Sequence, residues 1–329
     1  MQAENAPRAL GAFSGGLDGI VAAVLLAEQG VEVALATFSS PFFDPDRGRE
    51  AAARLGMDWR ELDFTDDMMR LLESPPSGFG RRMNPCIDCH AAMFARLGSV
   101  MADERFDFVF TGEVLGQRPM SQGLNSLNRV ARLSGLGDRI LRPLSARLLP
   151  PTAPERNGLI DRARMLAISG RGRREQIEFA MARGLSFPLP SGGCLLTDPG
   201  YSARLKVLVS EGLLTAGNAR LARVGRMIRL GRGSVGIVGR DEAENAMLES
   251  LAAPSDILRL ADRPGPSAVI IGGREGIPLL ASAVALYGRV PEGEEAGVET
   301  GRDGSVAVRP LPRNVADALL VRNDESRRT

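Results

Sequence analysis

Ser14-Gly15-Gly16-Leu17-Asp18-Gly19 gathers three glycines, a hydroxyl and a carboxylate into six positions. Glycines let a main chain approach a polyphosphate closely with its N–H groups free; Ser14 can donate its hydroxyl, and Asp18 can cap a helix or hold Mg²⁺. A plain strand-to-helix turn uses the same small residues. Two other nucleotide loops are excluded, because no Gly-Lys-Ser/Thr is present and the spacing is not Gly-x-Gly-x-x-Gly. The second concentration of chemistry is sulfur. Cys86-Ile87-Asp88-Cys89-His90 and Cys194 contain every cysteine and the only histidine of the chain. Cys-x-x-Cys-His is the haem-attachment pattern, and a zinc site would need four ligands although His90 adjoins Cys89. Two thiols can instead relay sulfur through a persulfide and a disulfide, and three can hold a [4Fe–4S] cluster with one iron open to sulfide. Three inert buried thiols are the remaining alternative.

These residues need a scaffold, and hydrophobic patterning supplies one. Arg8–Phe13, Val31–Phe38, Trp59–Phe64 and Phe106–Phe110 read as buried strands, with helices over Leu17–Gln29, Gly48–Leu55 and Ala91–Ala102. Strands alternating with helices predict a doubly wound α/β fold around a parallel sheet, and the glycine turn then lies at a helix N-terminus, a ready anion site. Leu72–Cys89 reads as a loop, Arg162–Arg183 and Tyr201–Arg229 as helical, and Asn84–Cys89 and Ser191–Cys194 as bendable cysteine-bearing loops. The texture changes near Gly231, which divides the chain into residues 1–232 and a smaller α+β domain, residues 233–329; the polar tail from Asn323 is expected to fray.

The turn after the first strand resembles the signature of the PP-loop ATP pyrophosphatases, Ser-Gly-Gly-x-Asp-Ser, with Gly19 in place of the last hydroxyl residue. Thr111-Gly112-Glu113-Val114-Leu115-Gly116-Gln117, running on to Ser121-Gln122, is similar to a segment of tRNA 4-thiouridine synthetases with about one extra residue before Gln122. The resemblance covers roughly residues 8–205 and includes Asn84–His90 and Gly192–Pro199, stretches shared with bacterial tRNA thiolation proteins of this superfamily. It implies ATP on Ala12, Phe13, Ser14, Gly15, Gly16, Asp18 and Gly19, with Phe38, Gly112 and Gln122 lining the adenosine pocket and Asp18 positioning Mg²⁺. It further implies catalytic Cys86, Cys89 and Cys194, either as ligands of a [4Fe–4S] cluster or as a relay. The expected reaction is ATP-dependent tRNA thiolation: a uridine carbonyl oxygen is adenylated and replaced by sulfur. A sulfur transferase for a small molecule and an RNA-binding protein with a degenerate ATP site are the alternatives.

Composition agrees with a globular protein. Apolar residues make up 44% and charged residues 25% of the 329, and no apolar run approaches the roughly 20 residues of a membrane helix. Met1-Gln2-Ala3-Glu4-Asn5 has no basic or apolar leader pattern, so a cytoplasmic protein is expected. The formal net charge is +1, but residues 161–232 hold 13 Arg or Lys and 5 Asp or Glu. Such a segment, with Arg171-Gly172-Arg173-Arg174 and Arg220, Arg223, Arg226, Arg229 and Arg232, suits a polyanion such as tRNA, although solvated surface charge reads the same way. Ile237–Asn245, Ala253–Asp256 and Arg263–Ile270 resemble the NFACT RNA-binding domain. The expected partners are tRNA, a sulfur donor (a protein or sulfide) and, in a homodimer, a second copy, with no membrane.

Overall fold

The computed structural model describes residues 6–118, 120–189, 193–302 and 304–322. Ser191 and Gly192 of the expected cysteine loop, and the tail from Asn323, lie outside them. The chain forms two compact units, residues 1–193 and 194–329.

The first unit is the α/β layer expected from the alternating pattern. Its strands are β1 (Arg8–Ala12), β2 (Glu32–Ser39), β3 (Asp58–Asp63), β4 (Phe108–Thr111) and β5 (Ile140–Leu141). Every neighbouring pair is parallel, in the order β3-β2-β1-β4-β5. The helices are α1 (Leu17–Ala27), α2 (Asp46–Leu55), α3 (Thr65–Glu73), α4 (Cys86–Asp103), α5 (Leu124–Leu133), α6 (Ala153–Arg156) and α7 (Arg174–Ala182). Strand order reverses direction after β1, so right-handed crossovers send α1 and α2 to one face and α4 and α5 to the other. Helix α1 is almost wholly apolar and fully buried at Val21, Ala22, Ala23 and Leu26, which fixes its N-terminus against the sheet edge.

Three expectations for this unit are corrected. Cys86 and Cys89 do not sit on a bendable loop, because α4 begins at Cys86 and is 18 residues long. Pro85 precedes it, with the restricted φ that suits a helix entry, and Asp88 supplies the acidic first turn. Only residues 74–85 remain loop-like after α3. Arg162–Arg183 is not one helix either: a single 3₁₀ turn at Arg162–Arg164 is followed by extended chain, and α7 starts only after Gly170, whose φ of 82° interrupts any helix.

The second unit contains α8 (Pro199–Ser210), α9 (Ala216–Leu221), α10 (Glu242–Leu251), α11 (Ile277–Tyr287) and α12 (Arg313–Leu319). Its strands are β6 (Arg226–Gly231), β7 (Ser234–Val238), β8 (Ile257–Leu260), β9 (Ala268–Gly272), β10 (Ala296–Glu299) and β11 (Ser305–Val308). They form one antiparallel sheet, ordered β11-β10-β8-β9-β7-β6, against which the apolar α11 packs. Tyr201–Arg229 is therefore two capped helices and a strand. Asp198 accepts from Tyr201 N (2.7 Å) and Thr215 caps α9. Arg226 and Arg229 consequently lie on β6, where Arg226 covers the Tyr287 ring at 4.6 Å and Arg229 pairs with Glu211 at 3.7 Å. The texture change near Gly231 coincides with the β6–β7 turn, whereas the units divide at Gly193/Cys194.

Candidate nucleotide and thiol site

In an open parallel sheet the crevice for a ligand opens where strand order reverses, here between the C-terminal ends of β1 and β4. A cleft of about 160 Å³ occupies that place. Ala12, Ser14, Gly16, Asp18 and Gly19 line one side, and Thr111, Gly112, Glu113, Gln117, Arg118 and Gln122 the other. The first N–H groups of α1 have no partner within the helix and face an approaching anion with the positive end of its dipole. Gly15 has a φ of 71° and packs on the Arg47 backbone, so the turn accepts no side chain. Arg47, Arg118 and Arg173 line the same cleft and match a triphosphate in charge.

Two walls meet almost without clearance. A Cβ on Gly112 would stand 2.5 Å from Gly19 N and 2.6 Å from the Asp18 carbonyl carbon. Gly19, in turn, leaves 3.1 Å between an added Cβ and the Phe13 ring, so a side chain there must move that ring slightly. Beyond Gly112 the chain closes on itself through Gly116 N to Gln122 O (2.7 Å). Inside this turn Gln117 Nε2 and Gln122 Oε1 are buried without a protein partner. A buried donor and a buried acceptor left open in one cleft fit the edge of a purine that carries an amino group and a ring nitrogen. Phe13 and Phe38, by contrast, do not line the cleft. Phe13 is buried and Phe38 packs on Phe64 at 5.2 Å between ring centroids.

The thiol site adjoins this cleft through Glu113. Cys86, at the start of α4, hydrogen-bonds His90 one turn further on, and also Ser121. His90 Nδ1 donates to Glu113 Oε1 (2.9 Å), and Arg142 Nε, just past β5, donates to Glu113 Oε2 (3.0 Å). Glu113 and Arg142 are 5% and 8% exposed, so their charges are little screened. Burial alone pushes the Cys86 thiol up, but the hydrogen bond and charge of His90, helped by Ser121 and Arg118, bring it below the ordinary thiol range. Burial pushes His90 down, and its hydrogen bonds to Cys86 and Glu113 outweigh that, raising it to about 10. Desolvation opposes ionisation of Glu113, yet Arg142 and His90 hold its carboxyl below the usual range. With the thiol ionised, the row alternates thiolate, imidazolium, carboxylate and guanidinium, an arrangement of the kind that activates a nucleophilic cysteine.

Glu113, Arg142 and the role of His90 as the thiol's base are not read from the sequence. The available signal was a carboxylate and a guanidinium standing at the ends of the apolar strands Phe108–Thr111 and Ile140–Leu141, where a charge without a purpose is costly. Asp88, inside the Cys-x-x-Cys spacing, is structural: it accepts from Ser77 N (2.7 Å) and Ser77 Oγ (2.5 Å) and so anchors the loop ahead of α4. Cys89 is 6% exposed. Cys194 belongs to the second unit, where it caps the 3₁₀ turn Leu195–Thr197. Among the described residues no group of three or more His, Cys, Asp or Glu side chains is arranged to hold a metal ion. Nor is any helix among them long and apolar enough to cross a membrane.

Comparison with solved structures finds a predicted subunit of tRNA methyltransferase from Methanocaldococcus jannaschii, at 15% identity over 56% of this chain and 93% of that one, with a TM-score of 0.33. A 4-thiouridine synthetase in complex with RNA and ATP matches at 17% identity over 52% of this chain and half of that one, with a TM-score of 0.35. NMN synthetase from Francisella tularensis matches at 13% identity over 57% and 90%, with a TM-score of 0.28. No curated protein sequence matches the chain. In the second unit, residues 225–317, from β6 into α12, match the family model described as the NFACT protein RNA binding domain.

Proposed function

We propose that the protein is an ATP-dependent tRNA sulfurtransferase. The observation that carries this reading is Glu113, which lines the nucleotide cleft and also completes the charge row of Cys86. A nucleophilic thiol beside an adenylation site suits a reaction in which an oxygen is activated and then displaced by sulfur. The α1 turn holds the phosphates, Gln117 and Gln122 take the adenine edge, and Asp18 holds Mg²⁺, which supplies charge neutralisation at the phosphates. A uridine carbonyl oxygen attacks the α-phosphate, the bond to the β-phosphate breaks, and pyrophosphate leaves. Cys86, carrying one sulfane sulfur atom passed to it by a persulfide donor, attacks the activated carbon through that terminal sulfur and AMP departs. Cys89, one turn along α4, then attacks the Cys86 sulfur; a disulfide forms, the thiocarbonyl is released, and an external thiol reductant resets the pair.

The cluster expected from the sequence would use Cys86, Cys89 and Cys194. Cys86 has the base His90 beside it, as the nucleophile of a relay requires. No step here depends on iron.

ATP–pyrophosphate exchange in the presence of tRNA tests the adenylation step. Asp18→Ala should lower exchange or ATP affinity by about tenfold to more than a hundredfold, the worth of one charge-assisted contact. Normal exchange in that variant rejects the assignment of the cleft.

RNA capture is proposed for the second unit, from its match to the RNA-binding family and its exposed Arg220, Arg223 and Arg232. Binding of tRNA should weaken steeply with salt. Changing these three arginines together to Glu should raise the Kd at least tenfold and flatten the log–log salt slope by about two units. A slope equal to that of the unaltered chain would remove this surface from consideration.

A further inference from the structure

Arg171-Gly172-Arg173-Arg174 reads in the sequence as a run of RNA phosphate contacts, but in the fold its members separate. Arg171 is exposed, and Arg174 pairs with Glu178 along α7 at 2.7 Å. Arg173, the cap of α7, is 31% exposed and lines the nucleotide cleft, its guanidinium 3.8 Å from Asp18 Oδ2. One turn on, Gln176 is fully buried and donates through Nε2 to Asp18 Oδ1 (3.3 Å), while its Oε1 has no partner. The chain entering α7 is fastened to the opposite wall, with Gly170 N donating to Leu115 O (2.7 Å) and Ser169 bridging Leu115. Both oxygens of the cleft's key carboxylate are thus held from α7, by one cation and one amide with an acceptor to spare.

We propose that Arg173 serves the nucleotide and not the RNA: it restrains Asp18 in this structure and turns to the β- and γ-phosphates when ATP binds, where it carries the charge of departing pyrophosphate. The inference rests on the adenylation reading above. In that step the acceptor oxygen bonds to the α-phosphorus, the uracil loses its N3 proton to water, and the electron pair of the broken bridging bond goes to pyrophosphate. A guanidinium never loses its charge, offers two donors in one plane, and stabilises most where negative charge grows. Release of Asp18 at the same moment makes its carboxylate available to Mg²⁺. Gln176 stays with Asp18, and its open Oε1 suits a water bound to that cation.

The test uses the full chain with tRNA, MgATP and labelled pyrophosphate. Arg173→Ala should lower the exchange kcat about a hundredfold or more and should reduce the Mg²⁺ concentration giving half-maximal rate, because the competing ion pair is gone. Arg173→Lys should recover part of the rate, Arg174→Ala should leave exchange unchanged, and tRNA affinity should stay within twofold throughout. Binding of magnesium pyrophosphate alone, followed by calorimetry, should weaken about tenfold in Arg173→Ala. Exchange within threefold of the unaltered chain, or a tRNA affinity that falls in step with the rate, overturns the role of Arg173 alone. An unaltered chain that neither exchanges nor binds pyrophosphate overturns the adenylation reading, and this role with it.

Discussion

Cys86→Ala is expected to abolish thiouridine formation while ATP–pyrophosphate exchange stays within about twofold of the unaltered chain. The nucleotide cleft does not use the thiol; only sulfur transfer does. His90→Ala should slow transfer by roughly 10²–10⁴, the usual worth of a positioned acid or base. The accompanying signature is in pH. A lowered thiol stays ionised as pH falls below the ordinary range and is lost only on passing its own lowered value, whereas an imidazole raised to about 10 keeps its proton until pH rises through that value. Both groups are therefore charged from the lowered thiol value up to about 10. Alkylation of Cys86 by iodoacetamide, followed on its own peptide by mass spectrometry, should reach its plateau at lower pH than that of a free thiol. In His90→Ala it should climb with pH as a free thiol does; an identical climb in the unaltered chain would defeat the ion pair. Stoichiometric iron and acid-labile sulfide in anaerobically purified protein, lost in each of the three single cysteine variants, would replace the relay by a cluster.

Gly112→Ala should cost the protein its nucleotide binding, with ATP affinity down more than a hundredfold. The added methyl has nowhere to go, because the atoms it meets at 2.5–2.8 Å are the backbone of Asp18 and Gly19, and backbone at a helix start cannot swing aside like a side chain. Either the phosphate turn moves off β1 or the β4 loop withdraws. Overpacking of this kind typically costs about 1–3 kcal/mol, so the chain still folds and the loss is specific to the site. Gly30→Ala is the control: it strains a φ of 81° but meets nothing within 4 Å, and ATP binding should be unaltered. Equal ATP affinity in Gly112→Ala, measured by calorimetry, would show that the nucleotide lies elsewhere.

The alternation of apolar strands and helices made the first unit legible, because a parallel sheet buried on both faces writes its strands as continuous apolar runs. Ser14, Asp18, Gly112 and Gln122 were singled out for a different reason, that glycines and small polar residues at strand ends have few other uses, and the fold brings them to one cleft. Phe38 was misplaced because the end of a strand does not say which face an aromatic ring takes, and here Phe64 offered a partner. The start of α4 was hidden by Asn84-Pro85, which punctuates like a loop while serving as a helix entry. Arg226 and Arg229 fell at the end of the helical reading of Tyr201–Arg229, and the pairing of β6 with β7 overrode it. Glu113 and Arg142 could not be found by spacing at all. They are 29 residues apart and meet only because β4 and β5 are neighbours in the sheet.

The four linked charges also constrain descent. With the thiol ionised, Cys86, His90, Glu113 and Arg142 alternate in sign and sum to zero, so each change leaves a neighbour stranded in a poorly solvated place. A lineage that abandons the sulfur chemistry is expected to drop Cys86 together with His90, since an imidazolium without its thiolate leaves the row with one uncompensated positive charge. Glu113 and Arg142 can persist as a neutral couple after both are gone. Loss is thus expected to run from α4 inward, two residues at a time, leaving the carboxylate and the guanidinium as the last remnant of a discarded activity.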